Sequence, residues 1–154
     1  MKTTIMLLVI AFSNAALAQS YEEDVDYIQS IYGKEKKMLV ADFIRLEGTQ
    51  KDSFWQLYDE YEGKRKALGK KRVQLLQKYA DSYATMDDAT ASQVIRETAA
   101  LAAETDKLVF TYFKKMEKVA GSKAAAQFYE LEVYFLSAIR LAILKNIPFI
   151  GELK

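Results

Sequence analysis

The chain has 154 residues, with 22 Lys and Arg against 21 Asp and Glu, and it contains neither cysteine nor histidine. The absence of these two residue types excludes disulfides, Ser-His-Asp and Cys-His triads, and the usual ligand sets for zinc, copper and nickel. The near-zero net charge argues against general binding to nucleic acid or to anionic membranes, because both usually show a basic excess.

Residues 1–18 have the organisation of a secretory signal peptide. A short positively charged start precedes an apolar run at Ile5–Phe12, and the small residues Ala16 and Ala18 occupy the two positions that signal peptidase reads. The apolar run is much shorter than the roughly 20 residues that span a bilayer, so we predict cleavage after Ala18 and no stable membrane anchor. The mature chain, residues 19–154, is then expected to be one exported domain.

The composition of the chain predicts an all-α protein. Six glycines and one proline are few, and turns and strand corners normally use more of both. Ser20 and Glu23 have the spacing of a capping box and open the first helical segment. The periodicity leaves open whether Gly33 splits this segment into helices at about 21–32 and 34–46.

The next two segments predict a long helical hairpin. The first runs from Thr49 to Tyr83, capped by Gly48 and Thr49, and is roughly 50 Å long at about 1.5 Å per residue. A rod of this length needs an antiparallel neighbour of similar length, which follows the polar turn Ala84–Asp88. The apolar stripes of the two helices consist of Phe54, Leu57, Tyr58, Tyr61, Leu68, Leu75, Leu76 and Tyr79, and of Val94, Ile95, Leu101, Leu108, Val109, Tyr112, Phe113 and Met116.

A break at Ala120–Gly121 and a cap at Ser122 are expected to start a last helix, which ends near Asn146. Pro148 disfavours helical geometry at the residue before it, so the apolar residues that follow the helix are expected to fold back over an end of the bundle. The predicted fold class is all-α, a four-helix arrangement built on a long antiparallel helical hairpin. The stripe of the last helix consists of Ala125, Phe128, Leu131, Glu132, Phe135, Ile139 and Ala142.

Two charged residues, Arg72 and Glu132, fall inside apolar stripes. A charge drawn into a core normally has a partner, because burying it alone costs several kcal/mol. We therefore propose a structural ion pair between Arg72 and Glu132, with Arg65 or Arg96 as the alternative partner of Glu132. Equally, both side chains could extend to the edge of the bundle and keep their charges in water.

A basic cluster in the middle of the long helix is a candidate partner-binding surface. It is formed by Lys64, Lys66, Lys70 and Lys71, with Arg65 and Arg72 between them, and Trp55 is a nearby aromatic residue outside the main stripes. Such a cluster would attract acidic or unfolded protein partners. The alternative is a solvated surface that acidic neighbours neutralise. Trp55 and Tyr134 are the aromatic residues expected to be exposed.

No catalytic, cofactor-binding or metal site is predicted, and the chain is not expected to be an enzyme. Its glycines form no phosphate-binding loop. The mature methionines Met38, Met86 and Met116 are far apart in sequence and fit core positions better than a metal site. Its acidic residues fit solvated helix surfaces.

Short motifs at the predicted helix starts resemble those of a known family. The segment Leu46-Glu47-Gly48-Thr49-Gln50 keeps the Leu and Gln of an L-T-x-x-Q motif, with Glu47 in place of the threonine. At Met86-Asp87-Asp88-Ala89-Thr90, only the apolar first residue and the place before a helix remain. With these motifs, a signal peptide and a long hairpin, the chain resembles the Spy/CpxP-like periplasmic proteins.

Other segments resemble a related group of small exported proteins, and the likeness covers nearly the whole mature chain. These segments are Phe54-Trp55-x-x-Tyr58-x-x-Tyr61, Arg72-Val73-x-Leu75-Leu76-x-x-Tyr79, Phe128-Tyr129-Glu130-Leu131-Glu132 and Ile147-Pro148. The resemblance implies a non-enzymatic helical protein, in some cases a cradle-shaped homodimer, that shields unfolded clients or moderates an envelope stress response. The alternative is a dedicated regulatory partner of one envelope protein.

Overall fold

The structure is a computed structural model and describes residues 32–152. The predicted signal peptide, the predicted capping box at Ser20 and the predicted helix at about 21–32, apart from its last residue, lie outside these residues. The chain divides into two compact units between Leu39 and Val40. Helix α1, at 32–43, includes Gly33 and crosses this division.

The all-α fold and the long helical hairpin are confirmed. Helix α2 covers Gly48–Ser82, a 3₁₀ turn covers Tyr83–Thr85, and helix α3 covers Asp88–Ala120. Ion pairs join residues at opposite positions of the two helices, Lys78 to Glu97 and Lys71 to Glu104, so the helices are antiparallel. Helix α4, Ser122–Asn146, packs along α3. No β-strand occurs within the described part of the chain.

The ends of the helices are set by backbone geometry more often than by side-chain caps. The cap position of α2 is Glu47, whose side chain makes no capping bond, so the prediction of a Thr49 cap is wrong. Gly48 has φ +58°, a left-handed conformation that glycine tolerates best. The Asp87 carboxylate caps α3 by accepting the Thr90 N–H at 2.8 Å. Gly121, not Ser122, is the cap position of α4.

The core is a cluster of aromatic rings around Tyr61. The Tyr61 ring lies 5.1 Å from Phe128 of α4 and 5.4 Å from Tyr112 of α3, both edge to face, an arrangement favoured by the ring quadrupoles. Tyr58 contacts the same Phe128 ring at 6.3 Å. The other buried apolar residues of this cluster are Val40, Ile44, Phe54, Val109, Met116, Ala120, Ala124, Ala125 and Leu136.

The chain after α4 folds back on the tip of the hairpin, as predicted. The Tyr79 hydroxyl donates to the Pro148 carbonyl at 2.7 Å, and the Tyr83 hydroxyl donates to the Phe149 carbonyl at 2.9 Å. Phe149 nevertheless stays 66% exposed and Ile150 44% exposed. The tail therefore covers the tip only in part. Among the helices of residues 32–152, none combines the length and apolar character of a bilayer-spanning segment.

Candidate functional site

The basic cluster predicted as a partner surface lies beside acidic residues along the seam between α2 and α3. Lys64 Nζ is 3.1 Å from Glu60 Oε1, and Lys71 Nζ is 3.3 Å from Glu104 Oε2. Lys70 is exposed and Lys66 is half-buried. Ion pairs at solvent-exposed positions add little stability, but they neutralise the surface. The geometry matches the solvated-surface interpretation of the cluster.

Glu60 is the centre of the charge network on this seam. Its Oε1 accepts from the Tyr112 hydroxyl at 2.6 Å, from Lys64 at 3.1 Å and from Lys115 at 3.3 Å. The Tyr112 hydrogen bond, followed by the contact with Lys64, lowers the pKa of Glu60 from 4.5 to about 2. The Glu60 carboxylate therefore remains ionised well into the acidic range.

The two aromatic residues expected to be exposed differ in their environments. Tyr134 is 67% exposed, as predicted. Trp55 is half-buried against the core, with ring centroids 5.2 Å from both Phe54 and Tyr58. The prediction that Trp55 is exposed is therefore wrong. A residue outside a strict helical stripe still packs when its neighbours are also large rings.

Glu132 is fully buried and bonded to a tyrosine of α2. Its Oε2 accepts from the Tyr61 hydroxyl at 2.6 Å. Arg72 lies eleven residues beyond Tyr61 along α2, or about 16 Å at about 1.5 Å per residue, and lines a different part of the molecule. Burial chiefly raises the pKa of Tyr61, and the Glu132 charge raises it further.

Arg65, the alternative partner proposed for Glu132, forms a bidentate pair with Glu62. The two Arg65–Glu62 hydrogen bonds are 2.8 and 2.9 Å long, and both residues are buried. Burial by itself lowers the pKa of Arg65, but the Glu62 carboxylate outweighs burial and the net shift is upward, with a smaller contribution from Glu132. These side chains are largely removed from solvent and bonded to each other, which is typical of a structural role.

Aromatic rings form an exposed cluster on the face shared by α3 and α4. We call Phe110, Phe113 and Tyr129 the α3–α4 aromatic cluster. Phe110 and Phe113 are stacked at 5.7 Å, and Tyr129 lies 6.5 and 5.9 Å from them. Phe110 is 50% exposed, and Lys114 Nζ lies 4.8 Å above its ring. The exposed apolar residues Val133, Leu141 and Leu144 follow along α4.

An apolar cavity of about 570 Å³ lies at the tip of the hairpin, between α2, α3, α4 and the tail. We call it the tip cavity. Its volume falls in the range of roughly 300–1,000 Å³ that is typical of small-molecule sites. The amino-acid sequence does not predict this cavity, although the position of Arg72 within an apolar stripe is a signal of it. The lining residues are Arg72, Leu75, Leu76, Tyr79, Val94, Ile95, Thr98, Leu101, Ala102, Arg140, Ile143, Leu144, Ile147, Pro148, Phe149 and Ile150.

Within residues 32–152, no group of acidic side chains is arranged to hold a metal ion. No family model, curated protein or solved structure matches the chain. The exposed aromatic cluster and the tip cavity are two candidate binding features of the described residues.

Proposed function

We propose that this protein is a non-enzymatic periplasmic binding protein of Spy/CpxP-like type, with a chaperone-like or accessory role in envelope stress. The exposed α3–α4 aromatic cluster is the observation that supports this proposal. Phe110 and Tyr129 expose large apolar surfaces on neighbouring helices. Contiguous apolar surface of this kind, bordered by charged residues, is typical of sites that bind other proteins.

The composition of α4 adds a second argument for a protein partner. A helix that is apolar around most of its circumference is normally buried on all sides. In α4, Phe128 and Leu136 face the core, yet Val133, Leu141 and Leu144 on other faces remain exposed. An unfolded client or a second copy of the chain would remove this surface from water.

The basic cluster of α2 is the weaker candidate for this role. Lys64 and Lys71 lie close to acidic residues, so the field that a client would meet there is largely neutralised. Aromatic side chains, in contrast, bury large areas at a low cost in conformational entropy and dominate many interfaces. We therefore assign client binding to the α3–α4 aromatic cluster.

Suppression of client aggregation tests the proposed function. The wild-type protein, at stoichiometric amounts, is expected to suppress the aggregation of an unrelated unfolding client. The double variant Phe110→Ser/Tyr129→Ser is expected to lose more than half of this effect, because both anchors are shortened. Ala99→Ser/Ala103→Ser, at exposed positions of α3, is the matched control and should act like wild type.

Two results would contradict the chaperone-like role. One is a lack of suppression by the wild-type protein. The other is a pull-down from envelope extracts that returns one dominant partner, which would favour a dedicated regulator. A charge reversal at Lys70 and Lys71 distinguishes the basic cluster from the aromatic one, and we expect it to change suppression little. Export is tested separately by finding the chain, cleaved after Ala18, in the periplasmic fraction.

A further inference from the structure

The two ends of the α2–α3 hairpin are packed differently. The large aromatic residues that α2 contributes to the core lie on its first half, and α2 has no buried residue beyond Leu68. Leu75, Leu76 and Tyr79, which continue the same apolar stripe, line the tip cavity instead of a filled core. Apolar side chains that face an unfilled cavity lose the dispersion contacts that a bound group would supply.

Arg72 and Arg140 lie at the same level of the bundle. Helices α2 and α4 run in the same direction, because Tyr61 bonds Glu132 and Tyr79 bonds Pro148 with similar sequence separations of 71 and 69 residues. A residue of α2 is therefore level with the α4 residue about 70 positions later in the chain. This places Arg140 within about one helical turn of the level of Arg72.

The remaining length of the cavity is apolar. From Arg72 to Tyr79 the distance along α2 is about 10 Å, at about 1.5 Å per residue. Over this distance the wall consists mainly of aliphatic residues from three helices, and the tail at Ile147 and Pro148 closes the far end. The cavity thus has a cationic end and an apolar end.

The charged residues that line the cavity favour a negatively charged ligand. Arg72 and Arg140 are the charged side chains among the described residues that line the cavity, and none of those lining residues is acidic. One Arg140 nitrogen donates to Asp106 at 2.6 Å, while a guanidinium has five N–H donors in total. Arginine stays charged at every physiological pH and binds carboxylates in a planar, bidentate geometry.

We propose that the tip cavity binds one medium-chain fatty acid, with the carboxylate at Arg72 and Arg140 and the alkyl chain directed toward the tail. A cavity of about 570 Å³ has room for one alkyl chain but not for the two long acyl chains of a phospholipid. This site is separate from the α3–α4 aromatic cluster, so the proposal does not depend on the proposed chaperone-like function.

Calorimetric titration of the mature protein with four amphiphiles of equal chain length tests this site. Dodecanoate, below its micelle concentration, is expected to saturate at one molecule per chain. Dodecanol and dodecyltrimethylammonium should each bind at least tenfold more weakly, because neither offers an anion to the arginines. A lysophospholipid is expected to be similarly weak, since its headgroup is much larger than a carboxylate. Equal binding of all four amphiphiles would overturn the proposal.

Substitutions locate the binding site within the cavity. Arg72→Gln/Arg140→Gln should weaken dodecanoate binding at least tenfold, while Lys107→Gln, an exposed cation of α3, should not change it. Ala102→Phe fills the cavity without changing its charge and should also weaken binding at least tenfold. Wild-type affinity in both the arginine and the filling variants would overturn the assignment. A further contrary result combines two measurements: sedimentation shows a dimer that dodecanoate does not dissociate, and calorimetry shows no binding of dodecanoate. This result would assign the cavity to a second copy of the chain and would also overturn the proposal.

Discussion

Tyr61 joins two different types of contact in the core. Its ring packs edge to face with Phe128 and Tyr112, and its hydroxyl donates to the buried Glu132 carboxylate. Hydrogen bonds of this kind offset part of the cost of moving a carboxylate out of water. The residue therefore links α2 to both of its neighbours.

Replacing Tyr61 by phenylalanine is expected to destabilise the protein by about 1.5–3 kcal/mol, the usual range for a hydrogen bond to a charged group. The ring stays in place, so the loss comes from the hydroxyl. Urea unfolding measures this decrease in the free energy of unfolding. Tyr134→Phe, which removes the hydroxyl of an exposed tyrosine, is the control and should shift the free energy of unfolding by less than about 0.5 kcal/mol. Equal stability of the two variants would contradict the role given to Tyr61.

The sequence identified Glu132 as a charge inside an apolar stripe but did not identify its hydrogen-bond donor. The reason is that helical periodicity treats tyrosine as an apolar residue and gives no direction to its hydroxyl. A tyrosine beside a buried carboxylate is therefore hard to recognise from one sequence. For the same reason, the sequence does not predict the Tyr112–Glu60 hydrogen bond, which has the largest influence on the pKa of Glu60.

Glu60 makes stability depend on acid pH. Its folded-state pKa of about 2 lies below its ordinary value of 4.5, so its contribution is complete above about pH 4.5 and is lost as the pH falls toward 2. Tyr112→Phe removes the main cause of this shift. We expect the pKa of Glu60, measured by NMR titration, to rise toward 4.5 in this variant. The decline in stability between about pH 5 and pH 2 should also become shallower. An unchanged Glu60 pKa would show that Lys64 and Lys115 are enough to keep this pKa low without the Tyr112 hydrogen bond.

At the scale of the elements, the junction between α3 and α4 depends on one glycine. Gly121 has φ 85° and ψ 161°, a region that is essentially restricted to glycine. The conformation lets the chain leave α3 and start α4 without an intervening loop. Since α4 supplies Phe128 and Glu132 to the core, this junction positions both residues.

Gly121→Ala is expected to destabilise the protein by about 1–3 kcal/mol, the cost of a non-glycine residue in such a conformation. Gly63→Ala is the matched control. Gly63 lies inside α2 with open space around its Cβ position, so the same change there should stabilise the protein by about 0.5–1 kcal/mol. Thermal unfolding should therefore show shifts of opposite sign. Shifts of the same sign would contradict the argument from backbone conformation.

Helix positions could be predicted from the sequence more accurately than helix caps. The sequence predicts the long helix at Thr49–Tyr83, and the structure has it at Gly48–Ser82. The agreement is close because a strong apolar stripe with a 3.6-residue period determines the position of a long helix. The N-terminal cap of this helix is not predicted correctly, because Gly48 adopts a left-handed conformation and starts the helix one residue before Thr49. Cap assignments depend on one or two dihedral angles, on which the apolar pattern has no influence.

At the scale of the whole described unit, stability is unevenly distributed. The ring cluster around Tyr61 is well packed, whereas the opposite end contains the tip cavity and a partly exposed tail. Regions with few buried contacts open with less free energy than the global unfolding reaction. The tip cavity could not be predicted from the sequence, because a stripe indicates which residues face inward but not whether they meet a neighbour.

The double variant Tyr79→Phe/Tyr83→Phe is expected to loosen the tail, because both hydroxyls donate to tail carbonyls. Hydrogen exchange should show the Glu152 amide, which bonds the Phe149 carbonyl, exchanging faster than in wild type. The amides around Tyr61 should keep their protection, since the core is not altered. Tyr134→Phe is the control. Unchanged exchange at Glu152 would indicate that apolar contacts alone hold the tail.

Trp55 gives the protein a built-in optical probe. It is the chain's single tryptophan, and its half-buried ring lies between Phe54 and Tyr58 at the edge of the aromatic core. Its fluorescence should shift to longer wavelength when this core opens to water. Energy transfer to it from tyrosines of other helices in the cluster, such as Tyr112, should also weaken when the rings separate. Loss of structure at the Tyr61 end can therefore be followed without a label, and separately from events at the hairpin tip.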